Sequence, residues 1–369
     1  MLKKVLFLTN IPSPYRVDFF NDLGKYVDLT VLFEIETSTE RDASWGNYRF
    51  NNFKGIVLRG IRTGIDRAFC PDVVRYLNGK YDMVIIGNLA SLTGLLAARW
   101  LKKHRIAYAY EGDGGIVKQK TGMKAWWKRY IIKDAICCFS TTRAFDEYCT
   151  AYGANPGKIV RYPLSSVWEQ DVLPCILSQK EKSQLKQKLN IIEKYAIISV
   201  GRIIHLKGFD VLLKAYARLQ DPEWGLYIVG GDCSKELAEI IREYRINNVH
   251  FINFVLPDEL KEYYKASDLF ILPTRYDPWG LVVHEAMAQG LPIITTFECG
   301  AGTEMVKDDI NGFLYPCEDV ELLAARAGKL MADHEKRIKN GEESLRIAHE
   351  FTIEKMTQAH MRVIGENGI

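Results

Sequence analysis

Residues 268–296 read DLFILPTRYDPWGLVVHEAMAQGLPIITT, and this stretch decides the fold prediction. The run DLFILPT (268–274) is short and apolar, as is typical of a fully buried parallel strand. LVVHEAMAQ (281–289) is typical of a helix, and Gly290 ends it. LPIITT continues into a second buried strand at 292–296. Together the runs predict a strand–helix–strand unit, and ligands of open α/β sheets bind at the carboxyl ends of such strands.

Two acidic residues lie in or near the loop that follows the first of these strands. Asp277 lies in the loop RYDPWG (275–280), and Glu285 follows with seven residues between the two. Gly280 permits close approach of a ligand to the backbone, and the helix start offers N–H groups to an anion. The pattern predicts a phosphate site with carboxylates placed for nearby hydroxyls. The alternative is an aspartate that caps the helix and a solvated glutamate.

Short apolar runs alternate with helical segments along the rest of the chain. Strands are predicted at residues 5–10, 29–34, 55–60, 82–88, 106–112, 135–141 and 158–164, and at 196–202, 226–232, 250–255, 269–274 and 292–296. Helices are predicted at 16–26, 91–104, 122–134, 143–152, 208–219, 234–245, 257–265, 281–289 and 319–332, and in the tail at 334–349 and 353–364. This alternation predicts an α/β protein with two doubly wound parallel sheets.

The periodicity is interrupted between residues 165 and 194, which predicts a domain junction there. We therefore expect an N-terminal Rossmann-like domain at 1–168 and a C-terminal one at 169–351. The helix at about 352–369 is expected to pack back on the N-terminal domain. Two such domains facing each other would place the carboxyl ends of both sheets at a central cleft.

Composition places the chain among ordinary soluble globular proteins. It has 369 residues, of which 47% are hydrophobic and 26% charged. The net charge of +3 divides into +9 over residues 1–170 and −6 over the remainder, so the basic half suits an acidic partner surface. The eight cysteines form no CxxC pair and are expected to be reduced core thiols. The seven histidines show no metal-ligand spacing, so no metal is predicted.

A second phosphate signal follows the first strand of the C-terminal half. GRIIHLKG (201–208) brings a glycine out of the strand, then Arg202 and Lys207 five residues apart. Arginine offers a planar fork to phosphate oxygens and lysine a point charge. Both would lie at the sheet edge that carries the 275–280 loop, and together they would hold a nucleoside diphosphate. The alternative is an ordinary loop with surface charges. Neither GxxxxGKS nor GxGxxG is present.

These stretches carry a resemblance. GRIIHLKG (201–208), RYDPWGLVVHEAMAQGLPIIT (275–295) and GTEMVKDDINGFL (302–314) resemble the retaining glycosyltransferases of family 4, which have the two-domain GT-B fold. TNIPSPYRVDFFNDL (9–23) and EGDGG (111–115) are similar to a bacterial branch that builds surface polysaccharide. The resemblance implies a metal-independent, retaining hexosyltransferase without a cofactor. Its donor would be a nucleotide-diphosphate sugar, a UDP-sugar by preference, and its acceptor a saccharide or a polyprenyl- or other lipid-linked sugar. No nucleic acid is implied.

The resemblance also implies roles for matched positions. Arg202 and Lys207 would neutralise the departing diphosphate. Glu285 would hold the ribose hydroxyls. Asp277 would face the donor sugar, although the family has the longer glutamate at that position. The remaining donor contacts are expected from the backbone of Gly201, Gly280, Leu281 and Val282, with the base near Phe254 and Val255.

In the N-terminal half, Glu111 and Asp113 of YEGDGG end a predicted strand. Either is expected to hydrogen-bond a sugar hydroxyl or to steady the charge at the anomeric carbon. The predicted catalytic set is therefore Arg202, Lys207, Asp277, Glu111 and Asp113. The alternative is a glycine-rich turn whose acids cap a helix. Asn10, Ser13 and Arg16 in the first strand–helix loop are weaker candidates.

Residues 118–134, KQKTGMKAWWKRYIIKD, combine six Lys or Arg residues with Trp126, Trp127 and Tyr130. Basic residues beside interfacial aromatics favour an in-plane helix on an anionic membrane. The alternative is a basic surface helix whose tryptophans pack inward. Membrane binding would place the protein in the cytoplasm, peripheral to the inner face of the cell membrane.

Two other functional classes remain open from sequence. A binding or regulatory protein of the GT-B fold without turnover is compatible with Asp277 at the position where the family has glutamate. An NAD-linked oxidoreductase is disfavoured because no GxGxxG follows a predicted strand.

Overall fold

The computed structural model describes residues 1–37, 49–87, 91–115, 117, 121–219 and 221–366. The strands are β1 (Lys4–Thr9), β2 (Asp28–Phe33), β3 (Lys54–Val57), β4 (Ile61–Gly64), β5 (Arg67–Phe69), β6 (Met83–Ile86), β7 (Ala109–Glu111), β8 (Cys138–Ser140), β9 (Ile159–Arg161), β10 (Tyr195–Val200), β11 (Trp224–Val229), β12 (Val249–Ile252), β13 (Leu269–Leu272), β14 (Ile293–Thr296) and β15 (Gly312–Tyr315). The helices are α1 (Pro14–Leu23), α2 (Leu92–Lys103), α3 (Met123–Ile132), α4 (Arg143–Ala151), α5 (Gln179–Lys188), α6 (Phe209–Tyr216), α7 (Lys235–Glu243), α8 (Pro257–Ala266), α9 (Leu281–Ala288), α10 (Gly300–Met305), α11 (Val320–Ala332), α12 (His334–Ala348) and α13 (Ile353–Glu366).

The chain forms two compact units. Unit 1 comprises Met1–Ser166 and Thr352–Ile369, and unit 2 comprises Val167–Phe351. The change from unit 1 to unit 2 thus falls two residues before the boundary expected from the sequence. Since α13 belongs to unit 1, the chain returns to its first unit after completing the second.

Unit 1 is built on a parallel sheet with the strand order β3-β2-β1-β6-β7-β8-β9 in the part of the chain that the structure describes. The apolar run of β1 pairs with β2 and β6 on either side, and its residues from Val5 onward are buried, as expected for a central parallel strand. The C-terminal helix α13 packs against α1, and the Nζ of Lys3 donates to the carbonyl oxygen of Ile364 at 2.7 Å.

Unit 2 has the strand order β12-β11-β10-β13-β14-β15, again parallel throughout. The direction of the order reverses between β10 and β13, which pair through Ile197 and Leu269. At such a switch point the loops leaving the two strands diverge to opposite faces and open a crevice for a ligand. The loops in question are those that carry Lys207 and Asp277.

The prediction of two doubly wound parallel sheets is confirmed. The antiparallel pair β4–β5 and the edge strand β15 were not predicted, because each is a run of four residues or fewer with little periodicity. Gly312 opens β15 so close to its neighbour that a Cβ there would lie 1.8 Å from the carbonyl oxygen of Ile293. Within the described residues, no helix has the length and apolarity that crossing a bilayer requires.

Candidate functional site

In unit 2, the turn after β10 is fastened to the loop after β13. The backbone N–H of Arg275 and the hydroxyl of Thr274 both donate to the carbonyl oxygen of Leu206, at 2.8 and 2.9 Å. Gly208 ends this turn with φ 68°, and a Cβ there would lie 2.1 Å from the carbonyl oxygen of Pro273. Only glycine fits this approach, so the turn that carries Lys207 has a fixed position against the second loop.

The side chain of Arg275 adds a clamp to this junction. Its guanidinium donates to both carboxylate oxygens of Asp210 at 2.8 Å, to the carbonyl oxygen of His205 at 2.6 Å, and to Glu318. The hydrogen bond to Asp210 raises the pKa of Arg275. Burial alone would raise the pKa of Asp210, but the hydrogen bonds from Arg275 lower it. Arg275 was not among the predicted site residues, although it stands two residues before the loop acid.

Lys207 and Asp277, both predicted from the sequence, form an ion pair. The Nζ of Lys207 lies 2.5 Å from Oδ2 of Asp277, and the two side chains are 17% and 15% exposed. The other carboxylate oxygen accepts from the backbone N–H of Trp279 at 3.3 Å. The backbone of Asp277 is held as well. Its N–H donates to the carbonyl oxygen of Glu298, and its carbonyl oxygen accepts from the backbone N–H of Gly300, both at 3.1 Å.

Gly280 links this corner to the start of α9. It has φ 90°, and a Cβ would lie 2.7 Å from the Sγ of Cys299, so a larger residue would push against the segment that follows β14. Helix α9 begins at the next residue, Leu281, with Val282 in its first turn. First-turn N–H groups of an α-helix lack intrahelical partners and carry partial positive charge. The positive end of α9 therefore lies next to the Lys207–Asp277 pair.

Glu285, in the second turn of α9, is half-buried. Its Oε2 accepts a hydrogen bond from the hydroxyl of Tyr264 at 3.3 Å. Burial and the nearby Glu285 carboxylate raise the pKa of Tyr264 well above its ordinary value, so the phenol remains a donor. The adjacent His284 is a core residue: it is fully buried, its Nε2 lies 3.1 Å from the carbonyl oxygen of Ala348, and burial lowers its pKa to about 4.

Other predicted donor contacts lie at the same edge of the unit 2 sheet. Gly201 and the exposed Arg202 follow β10 directly. Phe254, which is 47% exposed, and the half-buried Val255 come shortly after β12. A cation, an exposed aromatic ring and a helix start thus share one edge with the Lys207–Asp277 pair. Such a set of groups suits a phosphorylated ligand with a planar ring.

Glu111 has a different environment from the one predicted for it. Its side chain is fully buried in unit 1, with Oε1 2.5 Å from Arg16 Nη2 and Oε2 2.7 Å from His360 Nε2. The hydroxyl of Tyr162 also donates to Oε1, at 3.2 Å. Burial alone would raise the pKa of Glu111, but Arg16 and His360 lower it to about 2. A carboxylate enclosed by protein donors does not match the expected sugar contact, which leaves the exposed Asp113 as the candidate of this loop.

Arg16 shares this buried environment, in contrast to its prediction as a residue of the ligand-binding loop. Arg16 is 6% exposed, and its guanidinium lies over the rings of Phe7, Phe19 and Phe20. Ser13 is likewise buried, and Asn10 is half-buried. The partner His360 was missed by sequence reasoning, because it lies on α13 at the far end of the chain.

The basic segment is described from residue 121 onward; residues 118–120 of the predicted membrane helix lie outside the described residues. In α3, Met123 and Trp126 are 75% and 55% exposed, and Trp126 stacks on Tyr130 at 5.3 Å. Trp127 is half-buried. The described residues contain no cluster of three His, Cys, Asp or Glu side chains that could hold a metal ion.

The paired loops of unit 2 fall inside the segment that matches a known family. Residues 181–345 match the family model of glycosyl transferases group 1. An uncharacterized glycosyltransferase of Haemophilus influenzae is 33% identical over 178 residues, which are 47% of this chain and 50% of that protein. The amylovoran biosynthesis glycosyltransferase AmsD of Erwinia amylovora is 33% identical over 144 residues, 38% of this chain and 40% of that protein. The chain spans about half the length, or less, of these curated relatives.

Structural similarity extends over both units. The crystal structure of Anabaena HepE in complex with UDP superposes with a TM-score of 0.79 at 18% identity, covering 98% of this chain and 100% of that chain. A second HepE structure, with UDP-glucose, gives a TM-score of 0.76 at the same identity and covers 99% of this chain and 100% of that one. At this level of identity the similarity shows the fold. The predicted GT-B fold, with two parallel-sheet α/β units, is confirmed.

Proposed function

We propose that the protein is a glycosyltransferase that moves a sugar from a nucleotide-diphosphate donor to a saccharide or lipid-linked acceptor in the synthesis of a surface polysaccharide or glycolipid. The observation that carries the proposal is the corner in unit 2 where Lys207, Asp277 and the start of α9 meet. Relatives support the chemistry: AmsD is named for amylovoran biosynthesis, and the HepE structures hold UDP and UDP-glucose.

In this proposal the cations neutralise the leaving group. Transfer breaks the bond between the anomeric carbon and the diphosphate oxygen, and the oxygen departs with the electron pair. A new bond forms between the anomeric carbon and the oxygen of an acceptor hydroxyl, whose proton passes to the departing diphosphate oxygen. Lys207, Arg202 and the first-turn N–H groups of α9 stabilise the negative charge that develops on the diphosphate. Because these groups supply positive charge, we expect turnover without a divalent metal. Retention of the anomeric configuration is what the family resemblance implies.

The remaining donor contacts follow from the same edge of the sheet. Glu285, held by Tyr264, is placed to accept hydrogen bonds from ribose hydroxyls. Phe254 exposes an aromatic ring on which a planar base can stack. We propose UDP as the nucleotide, with the HepE complexes as the support for this choice.

The donor is tested by a thermal-shift screen of the full chain against UDP-, GDP-, ADP- and dTDP-sugars, since ligands that bind only the folded state raise Tm. We expect UDP-sugars to raise Tm in the parent protein and in Lys188→Met, which removes an exposed ion pair with Glu262 at 2.6 Å. Lys207→Met should remove the shift. If no nucleotide sugar raises the parent Tm, the proposed function is wrong.

We also propose that α3 binds an anionic membrane surface, which would bring a lipid-linked acceptor within reach. The support is the exposed Met123 and Trp126 beside Lys124, Arg129 and Lys133. The parent protein and the control variant Arg143→Gln should both sediment with phosphatidylglycerol vesicles at low salt. Trp126→Ser should lower the fraction of protein that sediments with the vesicles, and high salt should lower it for the parent. Equal sedimentation with phosphatidylcholine vesicles would contradict the electrostatic part.

A binding protein without turnover is the second candidate, and the engagement of Asp277 by Lys207 favours it. A carboxylate already bound to a lysine has less capacity for a donor sugar. If the parent binds UDP but releases none from any sugar donor in the presence of oligosaccharide and lipid-linked acceptors, this candidate replaces the transferase.

A further inference from the structure

We propose that Asp277 competes with phosphate for Lys207: the donor diphosphate draws the ammonium group away from the fixed carboxylate, and return of the ammonium group to Asp277 releases the nucleoside diphosphate product. This inference rests on the proposed function, because it assigns a role at the proposed diphosphate site. It differs from the sugar contact that the family resemblance implies for this position.

The first support is how completely Asp277 is held by the protein. One carboxylate oxygen binds Lys207 and the other the N–H of Trp279. On the backbone, the contacts with Glu298 and Gly300 fix the residue on both sides. Aspartate is one methylene shorter than glutamate, so this carboxylate reaches less far from its fixed backbone. It therefore stays beside Lys207 rather than extending toward a sugar.

The second support is that the ammonium group of Lys207 can rotate while the rest of its side chain is held in place. A Cβ at Gly201 would lie 3.4 Å from both Cδ and Cε of Lys207, which shows that the lysine stem runs along this glycine. The stem is supported there, and its backbone is fixed by the turn that ends at Gly208. The ammonium group at the end of a flexible side chain has three donors. A small rotation of its last bonds transfers it from the carboxylate to a phosphate at the start of α9.

The third support is the difference in charge between UDP and a UDP-sugar. A UDP-sugar has an esterified β-phosphate, whereas UDP has a free terminal phosphate with a further ionisable oxygen. Asp277 is fixed within ion-pair distance of the lysine that would bind these phosphates. Repulsion between like charges in a partly buried site is substantial, and it acts more strongly on UDP than on the donor. The carboxylate therefore favours product release, a step that limits turnover in many enzymes.

The test compares uridine, UDP and UDP-glucose by isothermal titration of the full chain. Asp277→Asn removes the charge but keeps an oxygen for the Trp279 N–H. UDP should bind about tenfold more tightly to this variant, UDP-glucose should gain less, and uridine should bind as it does to the parent. Asp277→Glu restores the charge and should return UDP affinity toward the parent value. Glu262→Gln, which removes the carboxylate of a surface lysine pair, should change none of the three.

Unchanged or weaker UDP binding in Asp277→Asn overturns the competitor role. Weaker binding of UDP-glucose alone does so as well, and assigns Asp277 to the sugar instead. If the Asn variant does not fold, Asp277→Ser, which keeps an acceptor for Trp279, takes its place with the same expectations. If the parent binds GDP, ADP or dTDP in place of UDP, the corresponding nucleoside series is used. A parent that binds no nucleoside diphosphate refutes the proposed function and this inference together, whereas the other failures refute the inference alone.

Discussion

Glu111 and Asp277 can be compared because each lies at or beyond the carboxyl end of a parallel strand and within a few residues of a glycine. Glu111 ends β7 and is enclosed by Arg16, His360 and Tyr162, with no exposed surface. Asp277 follows β13, keeps 15% of its side chain exposed, and pairs with a lysine at the sheet edge. Acidic residues at the carboxyl edges of the two sheets thus serve architecture in unit 1 and a candidate ligand site in unit 2. Burial, which the local sequence does not reveal, separates the two.

The buried Glu111–Arg16 pair and the Lys207–Asp277 pair also differ in what they contribute to the free energy of unfolding. Breaking a fully buried charge pair leaves its partner charged and unsolvated in the interior, which costs about 3–5 kcal/mol. Exposed pairs contribute about 0–1 kcal/mol, and the Lys207–Asp277 pair lies nearer that class because solvent reaches both groups. We infer that Glu111 serves the docking of α13 in unit 1, and that Asp277 acts on a ligand.

The largest expected effect is on the buried cluster. Glu111→Gln should lower the free energy of unfolding by about 3–5 kcal/mol, because Arg16 loses its counter-charge in the interior. Asp113→Asn, two residues away and exposed, is the matched control and should change it by less than about 0.5 kcal/mol. Urea unfolding of the full chain measures both. Similar effects from the two variants would contradict the assignment of Glu111 to the core.

Acid should remove the contribution of the same carboxylate. Burial opposes ionisation, but Arg16 and His360 hold the pKa of Glu111 at about 2, below its ordinary 4.5. Because the folded pKa is the lower one, the stabilisation is present above pH 4.5 and is lost as pH falls toward 2. The difference in Tm between the parent and Glu111→Gln should therefore shrink from pH 6 to pH 3. A constant difference across that range would show that the ionised carboxylate is not the source.

A smaller effect is expected at the clamp of unit 2. Arg275→Gln loses the paired hydrogen bonds to Asp210 and should weaken UDP binding about tenfold, because the turn of Lys207 is no longer fixed. Arg275→Lys keeps the charge and should recover part of the affinity. Arg218→Gln, which breaks a surface pair with Glu321, is the control for stability and should leave UDP affinity unchanged. Equal UDP affinities for Arg275→Gln and the parent would exclude a positioning role.

The smallest expected effect is that of an Asp277 substitution on the stability of the protein. Asp277→Asn should change the free energy of unfolding by no more than about 1 kcal/mol, since the pair it breaks is partly solvated. Urea unfolding beside Glu111→Gln gives the contrast directly. A loss as large as that of the Glu111 variant would assign both carboxylates to architecture.

The fold could be predicted because its signal is local. Buried runs such as LFILPT and the helix LVVHEAMAQ each show in a few consecutive residues, and their alternation determines the class. The two loops of unit 2 were also correctly expected at one sheet edge, since both follow parallel strands. Short edge elements such as β15 carried too little pattern to be recognised.

The environment of the acids could not be predicted, because it depends on contacts between distant parts of the chain. His360 and Glu111 are 249 residues apart, and nothing near either one indicates the other. Lys207 and Asp277 are separated by 70 residues, and their contact depends on the close approach at Gly208. For Arg275 the sequence shows a cation beside the loop, but its partners Asp210 and Glu318 come from two other segments.

The release of UDP from a UDP-sugar shows whether Lys207 stabilises a departing diphosphate. With the donor that raises Tm most, and with saccharide or lipid-linked acceptors present, the parent and Lys188→Met should release UDP at equal rates. Lys207→Met should be slower by about 10²–10³-fold, as expected when one preorganised charge is removed from a leaving-group site. Equal rates for Lys207→Met and the parent, in the same assay, would show that Lys207 does not stabilise the leaving group.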